Sequence, residues 1–226
     1  MATQQPGAGT PTAPAADEPA HAPLILPIGH YTGVFPDAEE PTRRAYHIRR
    51  GMELVAVPDD AFAVWGLAHG SPDNTEHPWT RREVFTQAQQ AGLYSAPALL
   101  RDLREANLIA EVFPGTPAAR QFAEAYHLHP TLLGLGNTAA DAGTFSVGLV
   151  GTPLLQVSRP VFELWRWAPA ALNLWDVCAF FAEAEQSHGE SDPEMTDPEL
   201  LLTGFLSSLH ALLTGGAAYL DIAAEQ

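Results

Sequence analysis

The sequence predicts an α+β protein made of two tandem copies of one small domain, each ordered strand, strand, helix, helix, helix, strand. Three observations lead there. The stretch Gly51–Gly70 recurs without a gap as Gly151–Ala170, so that Gly51 falls on Gly151, Leu54 on Leu154, Val57 on Val157, Phe62 on Phe162 and Trp65 on Trp165. The matched positions are glycine, aliphatic and aromatic, the kinds that fix turns and cores. Two short apolar runs flank the opening glycine of each stretch, and three helix-start signals follow each. The implied division is a disordered tail over 1–22, a first domain over 23–113, a connecting helix and linker over 114–144, and a second domain over 145–226.

The runs Tyr46-His47-Ile48-Arg49 and Leu54-Val55-Ala56-Val57 predict a hairpin about Gly51, where a tight turn needs a residue tolerant of positive φ. Phe145–Leu149 and Leu154–Val157 repeat it about Gly151. A helix follows in each copy, capped by Asp59 or Ser158, with Phe62, Trp65 and Ala68, or Phe162, Trp165 and Ala168, on its inner face. The second helix opens at Thr80 with Glu83 three residues on, a capping box, and at Asn173 with Asp176 in the same relation. The third opens at Ser95 with Pro97, or at Asp197 with Pro198, and stops at Asn107 or Gly215-Gly216. A last apolar run closes each copy, at Leu108–Val112 and at Ala218–Ile222.

Leu24-Ile25-Leu26 predicts a short strand added to the first copy. Thr116 and Pro117 predict a connecting helix running to about His129, and Leu132–Ala142 a glycine-containing linker. His127 and His129 would then end a helix, two residues apart and diverging. Gly134-Leu135-Gly136 lacks the third glycine, the lysine and the preceding strand of a nucleotide loop.

At this point the chain resembles the winged helix-turn-helix family, and more narrowly the winged-helix domains that recognise leader peptides in ribosomal-peptide biosynthesis, called RiPP recognition elements. The resemblance rests on LVAVPDDAFAVWGLAHG with LLRDLREANLIAEV, and on LLQVSRPVFELW with LHALLTGGAAYL, covering roughly 45–113 and 145–222. It implies a non-catalytic binding or adaptor protein that holds a peptide between the first strand and the third helix. The alternative is a transcription regulator that contacts DNA through the first copy, its third helix entering the major groove, while the acidic second copy dimerises or senses a ligand.

Charge bears on both. The 226 residues carry a net −16, with no lysine. Nine of the eleven arginines lie in 43–120 beside nine acids, whereas 121–226 holds thirteen acids and only Arg159 and Arg166, a balance of −11. The second copy would repel nucleic acid over most of its surface and offers a face to a basic partner. In the first copy a peptide could add to the strand carrying Tyr46, Ile48, Arg49 and Arg50, with Arg101 and Arg104 on the third helix gripping its acidic side chains. DNA would instead use Arg81, Arg82, Arg101 and Arg104. Asp102, Glu105 and Glu111 are interleaved, so an i,i+4 pair of Arg101 with Glu105 accounts for that helix equally well. The second copy has Val147–Val150 where the first has its basic strand, which predicts a buried strand. Trp165 and Trp167 cannot both face one core, which assigns Trp167 to a contact between copies or to a homodimer.

No catalytic cluster, metal site or cofactor motif is recognisable. Cys178 sits on an apolar helix face and reads as an inert thiol; no disulfide within the chain is possible, which fits a reducing cytoplasm. No run is long enough for a membrane span.

Overall fold

A computed structural model describes residues 22–36, 44–73 and 77–224. The disordered tail expected over 1–22 lies outside the described residues apart from residue 22. The first half runs β1 (Leu24–Pro27), β2 (His30–Pro36), β3 (Arg44–Arg50), β4 (Glu53–Val57), α1 (Asp59–Leu67), α2 (Arg81–Gln90), α3 (Ala96–Glu105) and β5 (Ile109–Val112). Helix α4 (Pro117–Ala125) leads to the second half. There the order is β6 (Tyr126–Pro130), β7 (Leu133–Thr138), β8 (Asp141–Leu149), β9 (Thr152–Ser158), α5 (Arg159–Trp167), a 3-10 turn (Ala168–Ala170), α6 (Leu174–Ser187), α7 (Pro193–Thr196), α8 (Pro198–Thr214) and β10 (Ala218–Ile222).

The chain is thus α+β and each half repeats one plan. A three-stranded antiparallel sheet, β2-β3-β4 or β7-β8-β9, lies before the helices, and the opening strand pairs antiparallel with the closing one, β1 with β5 and β6 with β10. The sequence signals named a two-stranded hairpin before the helices of each copy, and in the first copy also the strand at Leu24–Leu26; each half has four strands there.

The missing strands correct three expectations. The connecting helix stops at Ala125 because Tyr126–Pro130 alternates, with Leu128 wholly buried opposite Leu220. The residue before Pro130 is also biased away from the helical region. The segment expected to be a linker is β7 and the start of β8. Its glycines are packing positions: a Cβ on Gly134 would sit 2.9 Å from the Phe162 ring and 3.3 Å from Trp165. Residues 126–144 therefore belong with the second half. Val147 is buried as expected, but Leu149 and Val150 at the hairpin tip are exposed.

Helix ends follow their sequence signals closely. Thr80 and Glu83 form the capping box. The Asn173 side chain accepts from the Asp176 amide at 2.9 Å, and Asp197 from the Glu199 amide at 2.8 Å. Asn107 takes the left-handed conformation, φ 52°, after α3. The first helices differ from expectation: Pro58 precedes α1, and Ser158 makes no side-chain cap bond.

Two cores result. Ile25, Ile48, Val64, Trp65, Val84 and Leu100 belong to the first, and Phe162, Trp165, Leu202, Leu206 and Leu209 to the second. Strand β1 is the wall between them. Its alternate side chains point oppositely, so Ile25 enters the first core while Leu24 and Leu26 enter the second. All three are at most 2 % exposed.

Both repeat tryptophans are buried and placed alike. Phe62 and Trp65 ring centroids lie 5.7 Å apart, and those of Phe162 and Trp165 5.8 Å. Tyr46 stacks on Phe62 as Phe145 packs on Phe162. Each indole needs an acceptor in a dry interior. Trp65 Nε1 donates to the Ile28 carbonyl just after β1, and Trp165 Nε1 to the Ala217 carbonyl just before β10. Both acceptors sit at the same end of the two-stranded ribbon, on opposite strands.

Candidate functional site: the exposed strand edges and the join between halves

The halves meet through β2, β3 and β10. Gly29 N donates to the Leu220 carbonyl at 2.7 Å. Asp221 is 2 % exposed, and a carboxylate so buried needs donors. It receives Arg49 Nη1 at 3.0 Å, Gly51 N at 2.7 Å and its neighbour Ile222 N at 2.9 Å. The second Arg49 nitrogen donates to the Tyr219 hydroxyl at 2.8 Å. Gly51 therefore serves two ends: its φ of +56° turns the hairpin, and a Cβ there would strike Ile222 at 2.6 Å.

Aromatic rings cover this ion pair. Tyr219 lies between His30, 4.5 Å away, and His129, 4.7 Å away and nearly parallel. His127 and His129 are on a strand, not a helix end, and their rings approach to 4.5 Å. Burial, then the Arg49 charge, holds His30 below its ordinary pKa; burial, then His127, does the same for His129. A second contact joins α8 to β1 and to the end of α1. His210 Nε2 donates to the Ile25 carbonyl at 2.8 Å, and Thr214 Oγ1 to the His69 carbonyl at 2.6 Å. Burial pushes His210 down to about 4 and also lowers His69. Four histidines at the join are thus held towards the neutral form.

The sequence-predicted site residues are distributed as follows. Strand β3 is central in its sheet, paired with β2 and β4, so it offers no edge to an incoming peptide. The outer strands of that sheet among the described residues are β2 and β4, and β4 carries an open edge. Ile48 is wholly buried in the first core, and Tyr46 is half-buried on Phe62. Arg49 is committed to Asp221. Arg50 binds Glu53 and the Ala106 carbonyl, tying the hairpin to the end of α3.

On the helices, Arg101 pairs with Asp102 at 3.2 Å and lies 4.0 Å from Glu105. Arg81 and Arg104 share Glu111, at 2.5 and 3.7 Å. Arg82 is the most exposed of the set, 4.0 Å from Glu83. Trp167 is not between the halves; it contacts Phe180 and Arg166 in its own half. Cys178 is buried, and burial pushes its thiol up to about 12, so it is not a nucleophile at neutral pH.

What the residue patterns did not reveal is the strip beside each third sheet strand. In the first half Met52 and Leu54 project into solvent at the β3–β4 hairpin, and the half-buried Val55 packs against the first core. In the second half the corresponding strip, between β9 and α8, is a cavity of about 350 Å³. Leu154, Leu155 and Gln156 form one wall, Ser207, Ser208 and His210 the other, and Trp79 of the first half closes it. A scan of family models and searches of curated proteins and of solved structures found no match to this chain. No helix among the described residues is long and apolar enough to cross a membrane.

Proposed function

We propose that this protein is a non-catalytic binding or adaptor protein of the cytoplasm, a tandem winged-helix-like chain that holds an extended peptide or protein segment along its first half. The observation that carries this reading is the open edge of β4, flanked by the exposed side chains of Met52 and Leu54. An unpaired strand edge presents N–H and C=O groups that an incoming strand can satisfy, and alternate side chains beside it supply selectivity. The resemblance to RiPP recognition elements supports the same chemistry. The contact surface proposed here moves from β3 to β4; Arg101 and Arg104 on α3, expected to grip the peptide's acidic side chains, are engaged with Asp102 and Glu111.

Hydrogen exchange tests it. A bound peptide should protect amides within 53–57 and leave the β2 amides unchanged, and Leu54→Asp should abolish that protection. Protection of α3 by duplex DNA, lost in Arg101→Glu/Arg104→Glu and weakening with salt, would replace the reading with a DNA-binding regulator. The pairing of Arg81, Arg101 and Arg104 with carboxylates argues against that outcome.

A further inference from the structure

The two halves differ at one corresponding place, the join between their first and second helices. In the first half the residue before the α2 cap is Trp79, 2 % exposed, whose Nε1 donates to the Leu67 carbonyl at the end of α1 at 2.8 Å. The chain seals that join with its own indole. In the second half the residue before the α6 cap is Leu172, which is 56 % exposed. Trp167, at the position of Leu67, is 46 % exposed, and Phe180 across from it is 60 % exposed. Together with Ala171 and Val177 they line an apolar cup of about 320 Å³.

The cup is a fixed feature. Its floor strand of chain is held by His127 Nε2, 3.1 Å from the Ala171 carbonyl, and by the Ala171 amide bonded to Ala168. Trp167 and Phe180 meet edge to face at 6.5 Å, and the Arg166 guanidinium lies against the Trp167 ring. Exposed apolar surface of this kind, rimmed by polar groups, marks a place of association.

The rim states which partner. Asp176 lines the cup. Asp176, Phe180 and Glu183 fall at i, i+4 and i+7 on α6, hence on one face. Neither Asp176 nor Glu183 forms an ion pair among the described residues, whereas Glu185 on the same helix is paired with Arg159. They belong to a segment whose balance is −11. A second copy of this chain would bring like charge to the same place.

We propose that the cup of Trp167, Leu172 and Phe180 receives a large apolar side chain from a basic amphipathic helix of another protein, taking the role that Trp79 performs internally in the first half. The rim carboxylates then meet lysine or arginine one turn away on that helix. This site is separate from the β4 edge, so either can fail without the other.

The test is fluorescence anisotropy with a labelled synthetic leucine/lysine helix of roughly 18 residues bearing one central Phe, and with its leucine/glutamate counterpart, at about 0.15 M salt. The lysine helix should bind and the glutamate helix should not. Phe180→Ser and Leu172→Ser should each weaken binding about tenfold or more. Asp176→Asn/Glu183→Gln should weaken it about threefold to tenfold and make its salt dependence shallower. Glu190→Gln/Asp192→Asn, acids away from the cup, should leave it unchanged. Circular dichroism of each variant checks that these exposed positions leave the fold intact. Three outcomes overturn the proposal: no binding of the lysine helix, binding indifferent to the cup variants, or self-association in light scattering that Phe180→Ser abolishes.

Discussion

The first half closes over its own helices and the second does not. Both wrap the same Phe–Trp pair at the same ring spacing and satisfy the indole at the same end of a β-ribbon. The thirteen residues between α1 and α2 include Trp79 and a loop that reaches the other half, where it lines the β9–α8 cavity. Only six residues connect α5 to α6, and they leave Leu172 in solvent. The third helix is 10 residues long in the first half and 17 in the second. The two halves thus share a core plan and differ in connection length and charge around it. Core positions are constrained by close packing; surface positions are not.

The sharpest way to break this comparison is to truncate both tryptophans. Trp65→Ala and Trp165→Ala should each cost about 3–5 kcal/mol, read from denaturant midpoints. A variant that loses under about 1 kcal/mol would show that its half does not depend on the shared core.

Acid should come next. His210 has a depressed pKa of about 4 against an ordinary 6.5. It takes up no proton in either state well above pH 6.5, so it contributes no pH dependence there. Below 6.5 the unfolded chain binds a proton that the folded chain refuses, and stability falls with pH until about 4. At 1.36 kcal/mol per pH unit the loss reaches about 3 kcal/mol. His69, His30 and His129 act in the same direction. The groups facing them are Arg49, Asp221, His127 and Tyr219. Urea midpoints at pH 7, 5.5 and 4.5 should decline, and His210→Gln should flatten that decline. An equally steep decline in His210→Gln would remove His210 from the account.

Asp221→Ala should cost about 2–3 kcal/mol, below the usual figure for a broken buried pair because Arg49 keeps 37 % of its side chain exposed. A double-mutant cycle with Arg49→Ala would measure how much of that loss is the pair itself. The smallest effects concern two glycines. Gly66→Ala on α1 meets open space and should gain about 0.5–1 kcal/mol. Gly134→Ala should lose about 1–3 kcal/mol against the rigid Phe162 ring. Opposite signs in thermal melts would confirm that the two halves use their unmatched glycines differently.

Much of the fold was legible in local signals. The repeat register, the Gly51 and Gly151 hairpins, the capping box at Thr80 and the left-handed stop at Asn107 each need only neighbours a few residues away. The candidate surface was legible only in part. Arg49 reads as a free cation along the chain, because its partner Asp221 lies 172 residues on. Likewise Trp167 was correctly kept out of the core by its spacing from Trp165, but its neighbour Phe180 comes from the next helix.

The sequence by itself determined the duplicated helical cores, since periodicity, caps and turn glycines are set by short-range sterics and hydrogen bonds. Tertiary structure alone decided that Tyr126–Pro130 and Leu133–Thr138 are strands and not helix and linker, that β3 is central and β4 an edge, and that Arg49 is tied to the second half. Strand pairing and ion pairing join groups far apart in the chain, and a polar or glycine-rich stretch has no preferred structure until its partner is beside it.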